Sequence, residues 1–259
     1  MAKKQSEGIG ETIKTIVYAL LIAGIIRTLF FQPFWIPSGS MKSTLLVGDF
    51  MFVNKMAYGY SKYSCPWGLC PISGRILSSE PERGDIIVFK HPTRGVDYIK
   101  RLIGLPGDKV QMKAGQLYIN DKAVPKETMG KFTEVKLPQG PLGSTPACHN
   151  SPVALGGSCD KEMFKETLPN GVEHVTLNIR TARSDDTPVF NVPAGHYFFM
   201  GDNRDNSQDS RVPLSLGGVG YVPAEYLIGR ADRVIFSSAG KRMLYFWTWR
   251  TDRFFKGLE

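Results

Sequence analysis

Cysteine and histidine are scarce in this chain of 259 residues, four of each. Neither type falls at metal-ligand spacing. Cys65, Cys70, Cys148 and Cys159 contain no C-x2-C pair, and His91, His149, His174 and His196 are scattered, so no metal site is expected. Also missing are the G-x-S-x-G elbow, the H-E-x-x-H zinc helix and the G-x-x-x-x-G-K-[ST] phosphate loop, which removes three common routes to catalysis. The stretch Asp202 to Asp209 is rich in Asp and Asn, but Arg204 stands where a calcium loop wants an oxygen ligand. No cofactor is expected. Beyond residue 31 no apolar run is long enough to span a bilayer, and no stretch keeps helical periodicity over three turns. Acidic residues are outnumbered, 24 against 32 basic, and the resulting net charge of +8 is spread along the chain. That balance suits an anionic membrane surface at least as well as nucleic acid, and no nucleic-acid partner is expected.

What is present begins with an apolar segment. Residues 13–31 approach the ~20 needed to cross a hydrocarbon core, with Lys14 and Arg27 near the ends, where their stems can reach the headgroups. No small-x-small cleavage site follows; bulky Phe30, Phe31, Phe34 and Trp35 come instead, as suits a membrane interface. The segment therefore reads as an uncleaved anchor. Lys3, Lys4 and Lys14 favour an inside N-terminus despite Glu7 and Glu11, which makes residues 1–12 a short cytoplasmic piece and 32–259 an extracytoplasmic body.

The body has the texture of strands. Runs such as 85–89, 98–102, 109–112, 116–119, 172–179, 196–200 and 230–236 are rich in Val, Ile, Tyr and Phe and bounded by turn residues, with Asn120-Asp121 as a hairpin turn. The expected class is mainly β, a folded antiparallel or barrel-like sheet behind one transmembrane helix. Residues 138–160, dominated by Gly, Pro, Ser, Asn and Ala, read as a surface excursion pinned by Cys148 and Cys159. Cys65 and Cys70 close a smaller loop of the same type. The aromatic residues Phe246, Trp247 and Trp249 are candidates for resting on the bilayer.

Three segments carry candidate chemistry. Pro37-Ser-Gly-Ser-Met-Lys-Ser-Thr-Leu-Leu-Val-Gly-Asp49 places hydroxyls on a glycine-containing turn just beyond the anchor, where an exposed serine Oγ can share a spot with backbone N–H groups. Lys100 interrupts the apolar strand of Asp97-Tyr-Ile-Lys-Arg-Leu-Ile-Gly104; burial there would lower its pKa and make the amine a proton acceptor. Gly201-Asp-Asn-Arg-Asp-Asn-Ser-Gln-Asp-Ser-Arg211 has no large apolar side chain but carries enough charged partners to form a buried network.

Taken in order, the anchor, PSGSM-x-x-TLLVGD, RGDIIVF, DYIKRLIGLPGD and GDNRDNSxDSR resemble the bacterial type I signal peptidases, membrane-bound serine endopeptidases with a Ser-Lys dyad. The resemblance implies Ser40 as nucleophile and Lys100 as general base, Ser38 with the Ser40 N–H as oxyanion hole, and Ser207 as the serine that orients the lysine. It further implies Asp202, Arg204, Asp209 and Arg211 as supports, and Phe34, Ile36, Met41, Leu45, Tyr98 and Ile99 around shallow substrate pockets. Partners implied are precursor proteins with signal peptides, membrane phospholipids and the protein-export machinery; the location implied is the inner (cytoplasmic) membrane, single-pass, with the catalytic body periplasmic. One departure is Ser43, where the family commonly has proline, which leaves the turn after Ser40 less rigid. Two other readings compete: a related Ser-Lys maturation peptidase, and a non-catalytic tethered β-domain, against which intact Ser40, Lys100 and Ser207 argue.

Overall fold

The computed structural model describes residues 9–65, 68, 70–140, 142–240 and 245–258. Lys3, Lys4 and Glu7 of the orientation argument lie outside them. The apolar segment forms one helix, Ile9–Leu29, with mean hydropathy 1.8 and none of its residues buried. Its 21 residues, at about 1.5 Å each, give a length close to the ~30 Å hydrocarbon core. It starts and stops earlier than the expected 13–31, because Phe31 is captured by strand pairing: Phe31–Trp35 lies antiparallel to Asp49–Asn54.

Seven strands curl into one antiparallel sheet in the order Phe31–Trp35, Asp49–Asn54, Leu227–Ser237, Ile86–Lys90, Asp97–Gly104, His196–Met200 and Val222–Pro223. The long strand Leu227–Ser237 carries register shifts between Leu227 and Gly229, Ala231 and Arg233, and Val234 and Phe236. Such bulges bend a strand and tighten its twist, which lets the sheet fold over on itself. The expected mainly β, barrel-like class holds.

Two smaller sheets flank it. Lys126–Val135, Ser158–Thr167 and Glu173–Asn178 form a three-stranded antiparallel sheet. Phe190–Asn191, Lys109–Lys113, Gln116–Ile119 and Lys122–Ala123 form a four-stranded one, with the turn at Asn120 and Asp121, whose φ values of 50° and 63° are what a two-residue hairpin loop needs. Both cysteine pairs are bonded as expected, Cys65 to Cys70 and Cys148 to Cys159. The excursion over 138–160 is shorter than expected, since its last three residues open the strand Ser158–Thr167, where Cys159 stands opposite Glu134.

A buried cluster of Ile36, Met41, Leu45, Met51, Val53 and Val88 lies directly under the segment that contains Ser40. Asp49, at the end of that segment, accepts from Ser237 Oγ at 2.6 Å and from Arg253 Nε at 3.0 Å, while Arg253 Nη2 also donates to the Thr44 carbonyl at 2.9 Å. The C-terminal turn thus fastens the serine-bearing segment to the sheet.

Candidate active site

Ser40 sits in a turn between the edge strand Phe31–Trp35 and the strand Asp49–Asn54. Its conformation is imposed from the third segment: Asn203 N donates to the Ser40 carbonyl at 3.0 Å and Asn203 Nδ2 to the Gly39 carbonyl at 2.9 Å. Gly201 completes the fit, because a Cβ there would collide with the Ser207 side chain and come within 2.6 Å of the Ser40 carbonyl oxygen.

Lys100 approaches from the strand Asp97–Gly104. Its Nζ lies 2.6 Å from Ser40 Oγ and 3.1 Å from the Ile99 carbonyl, and the side chain is buried. Loss of solvation pushes its pKa down to about 8, an effect that Asp209 and Asp202 oppose from a distance and Arg211 reinforces. No carboxylate touches the amine among the described residues. Ser38 Oγ is 3.5 Å from Ser40 Oγ, and the Ser40 N–H is donated to no acceptor among the described residues. The Ser38 hydroxyl thus lies beside the serine oxygen, next to a Ser40 amide left without an acceptor among the described residues.

The segment 201–211 is the buried network that its composition suggests. Arg101 grips Asp202 in a two-point pair, Nε to Oδ1 at 2.9 Å and Nη2 to Oδ2 at 2.8 Å. Arg211 grips Asp209 in the same way at 2.9 and 2.9 Å, and Arg204 forms a two-point pair with Glu166 of the three-stranded sheet. Burial works to raise the Asp202 and Asp209 carboxyls, but the adjoining guanidiniums outweigh it and hold both below the usual range. The Ser207 hydroxyl lies close enough to Asp209 to help keep it ionised, without reaching hydrogen-bond geometry to it or to Lys100.

Beside Ser40 and Lys100 opens a cavity of about 230 Å³ lined by Phe34, Trp35, Ile36, Ser38, Tyr98, Ile99 and Lys100, among others. That is below the roughly 300–1,000 Å³ of sites for drug-sized ligands, and it suits one or two short side chains. Of the six expected pocket residues, Phe34, Ile36, Tyr98 and Ile99 line it; Met41 and Leu45 do not, being fully buried in the cluster below the turn. A larger cavity of about 430 Å³ at the foot of the helix, lined by Arg27, Tyr63 and Lys90, contains neither Ser40 nor Lys100. None of the four histidines hydrogen-bonds to the pair among the described residues, and no cluster of metal-binding side chains occurs among them.

Sequence reasoning passed over Arg101, Asn203, Thr44 and Glu166. Arg101 carried the one usable signal: in a strand, the neighbour of a residue facing one side faces the other, so a second cation inside an apolar run needs its own buried partner.

The model of the family described as signal peptidase, peptidase S26, matches residues 9–236. This chain belongs to that family. A signal peptidase I of Rickettsia typhi is 40% identical over 246 residues, covering 91% of this chain and 83% of its own. One from Rickettsia akari is 42% identical over 231 residues, covering 85% and 77%. A solved signal peptidase I from Enterococcus faecalis is 25% identical, covers 59% of this chain and 97% of its own, and has a TM-score of 0.31, too low for the superposition to bear on the fold. As an S26 member the chain is a serine peptidase, and its exposed apolar helix makes it membrane-anchored. The Ser-Lys geometry described above lies wholly inside the matched residues.

Proposed function

We propose that this peptidase removes signal peptides from exported precursors, with Ser40 as nucleophile and Lys100 as both base and acid. In this reading an extended precursor segment places short side chains in the cavity lined by Phe34, Ile36, Tyr98 and Ile99. Neutral Lys100 takes the Ser40 proton as Oγ attacks the scissile carbonyl carbon. The oxyanion that forms is met by the Ser38 hydroxyl and the Ser40 N–H. The Lys100 ammonium then returns its proton to the leaving amine, and a water activated by the same amine releases the acyl group from Ser40.

The observation that carries this reading is the 2.6 Å contact of Lys100 Nζ with Ser40 Oγ at a buried amine whose pKa is lowered to about 8. At pH 7 about a tenth of such an amine is neutral, against less than a thousandth at the ordinary value of about 10.4. Asp202, Arg204, Asp209 and Arg211 act as supports, and Ser207 as a packing partner of the turn beside Gly201. The helix Ile9–Leu29 serves as the anchor, with the chain before it as its cytoplasmic flank and the chain after it as the periplasmic body at the inner membrane. Phospholipids and the export machinery are its surroundings there. Incubation of the detergent-solubilised full chain with a precursor carrying an Ala-x-Ala site tests the function: cleavage after the second alanine is expected, and an intact precursor overturns it.

A further inference from the structure

A second buried lysine, Lys42, belongs to the serine-bearing turn itself, and the proposed mechanism does not use it. Lys42 is buried, and its Nζ donates to both oxygens of Glu134, at 2.8 and 2.6 Å, and to Gln139 Oε1 at 2.8 Å. Gln139 Nε2 in turn donates to Glu134 Oε2 at 2.7 Å, and Lys161 donates to Glu134 Oε1. Glu134 and Lys161 belong to paired strands of the three-stranded sheet, where Glu134 stands opposite Cys159 of the Cys148–Cys159 bond. The ammonium end of Lys42 is therefore fixed to a part of the molecule distant in sequence.

The stem of Lys42 meets the turn itself. A Cβ on Gly39 would lie 3.3 Å from Lys42 Cε, 3.4 Å from its Cδ and 3.5 Å from Asn206 Nδ2. The Lys42 stem and Asn206 thus border the space beside Gly39, the residue that links Ser38 to Ser40 in the turn. We propose that Lys42, tethered by Glu134, is a positioning residue that holds Ser38, Gly39 and Ser40 in the geometry needed to meet the oxyanion. This rests on the peptidase reading above and adds a residue to it. Neither Lys42 nor Glu134 lines the cavity for substrate side chains. Loosening the pair should consequently weaken transition-state stabilisation and leave substrate binding alone.

The test compares the detergent-solubilised full chain with Lys42→Met, Glu134→Gln and the double variant on an Ala-x-Ala peptide. Lys165→Gln, which breaks a partly exposed pairing on the same sheet, is the control and should match wild type. Each single variant should lower kcat by about 10- to 100-fold, with KM within about twofold of wild type, and the double variant should fall little below the weaker single. The pH–rate limb should not move, because the charges acting on Lys100 are Asp209, Asp202 and Arg211. Unchanged kcat in the folded singles, a rise in KM alone, or losses that multiply in the double variant would each overturn the proposal. If Lys42→Met does not fold, Glu134→Gln, which keeps the shape but removes the charge and turns one acceptor oxygen into a donor facing Lys42, Lys161 and Gln139, decides it alone. Failure of wild type to cleave, or cleavage by Ser40→Ala, would instead strike the peptidase reading itself.

Discussion

Lys100 and Arg101 are neighbours on one strand, both buried, and the two faces of the sheet treat their charges in opposite ways. Lys100 meets a hydroxyl and a carbonyl, and its pKa falls to about 8. Arg101 meets the Asp202 carboxylate at two points and the Gly84 carbonyl at 2.8 Å. The drop at Lys100 from about 10.5 to about 8 corresponds to a net penalty of roughly 3 kcal/mol on the charged amine, with desolvation as its largest cause. Burial without a carboxylate leaves a lysine able to act as a base; burial with one makes an arginine into a rivet. Because the rivet joins the Lys100 strand to the segment that shapes the Ser40 turn, the second face supports the first.

The contrast can be broken most severely on the Lys100 face. Ser40→Ala and Lys100→Ala should each reduce precursor cleavage to background, and the double variant should lose little more, since the two act as a unit. Lys100→Arg should be equally inactive, because a guanidinium stays charged at working pH. Steady-state cleavage assays on folded variants check this. On the other face, Asp202→Ala leaves Arg101 buried without its counter-charge and should cost about 3–5 kcal/mol of stability, read from denaturant unfolding, with activity lost in proportion to unfolding. Between these, Ser38→Ala removes one oxyanion donor and should lower kcat by about 10²-fold or more with unfolding unchanged. The smallest effect on activity is expected at the Cys148–Cys159 bond. Opening Cys148–Cys159, 11 residues apart, should cost roughly 3 kcal/mol in the chain-entropy model while the protein that stays folded retains the Ser40–Lys100 chemistry. Thermal unfolding with and without reductant measures it.

Much of this was legible in the sequence, for identifiable reasons. Strands such as Ile86–Lys90 and His196–Met200 are buried, so their apolar side chains announce them. Phe31–Trp35 was hidden because Phe-Gln-Pro-Phe-Trp reads as interfacial aromatics; as an edge strand it tolerates Pro33, which has no N–H to donate to a further neighbour. Lys126–Val135 and Ser158–Thr167 were hidden for another reason: they pair through backbone and present charged side chains such as Lys131 and Glu162. Ser40, Lys100 and the 201–211 segment stood out as motifs, whereas their partners did not. Arg101 finds Asp202 at a sequence separation of 101, and Lys42 finds Glu134 at 92. Which carboxylate neutralises which cation is decided by the fold. Met41 and Leu45 show the converse, since apolar residues of the Ser40 segment went to the core beneath it and not to the pocket.

The central claim is that desolvation, with no touching carboxylate, makes Lys100 the base, and the pH dependence of kcat/KM tests it most directly. Only the neutral amine accepts the Ser40 proton, and a lowered pKa means that its neutral fraction grows as pH rises toward about 8. The full chain in detergent, assayed from about pH 5 to 10, should show a rate rising about tenfold per pH unit, bending near pH 8 and levelling above it. A profile flat down to pH 5, or a limb centred near the histidine value of about 6.5, would contradict the account.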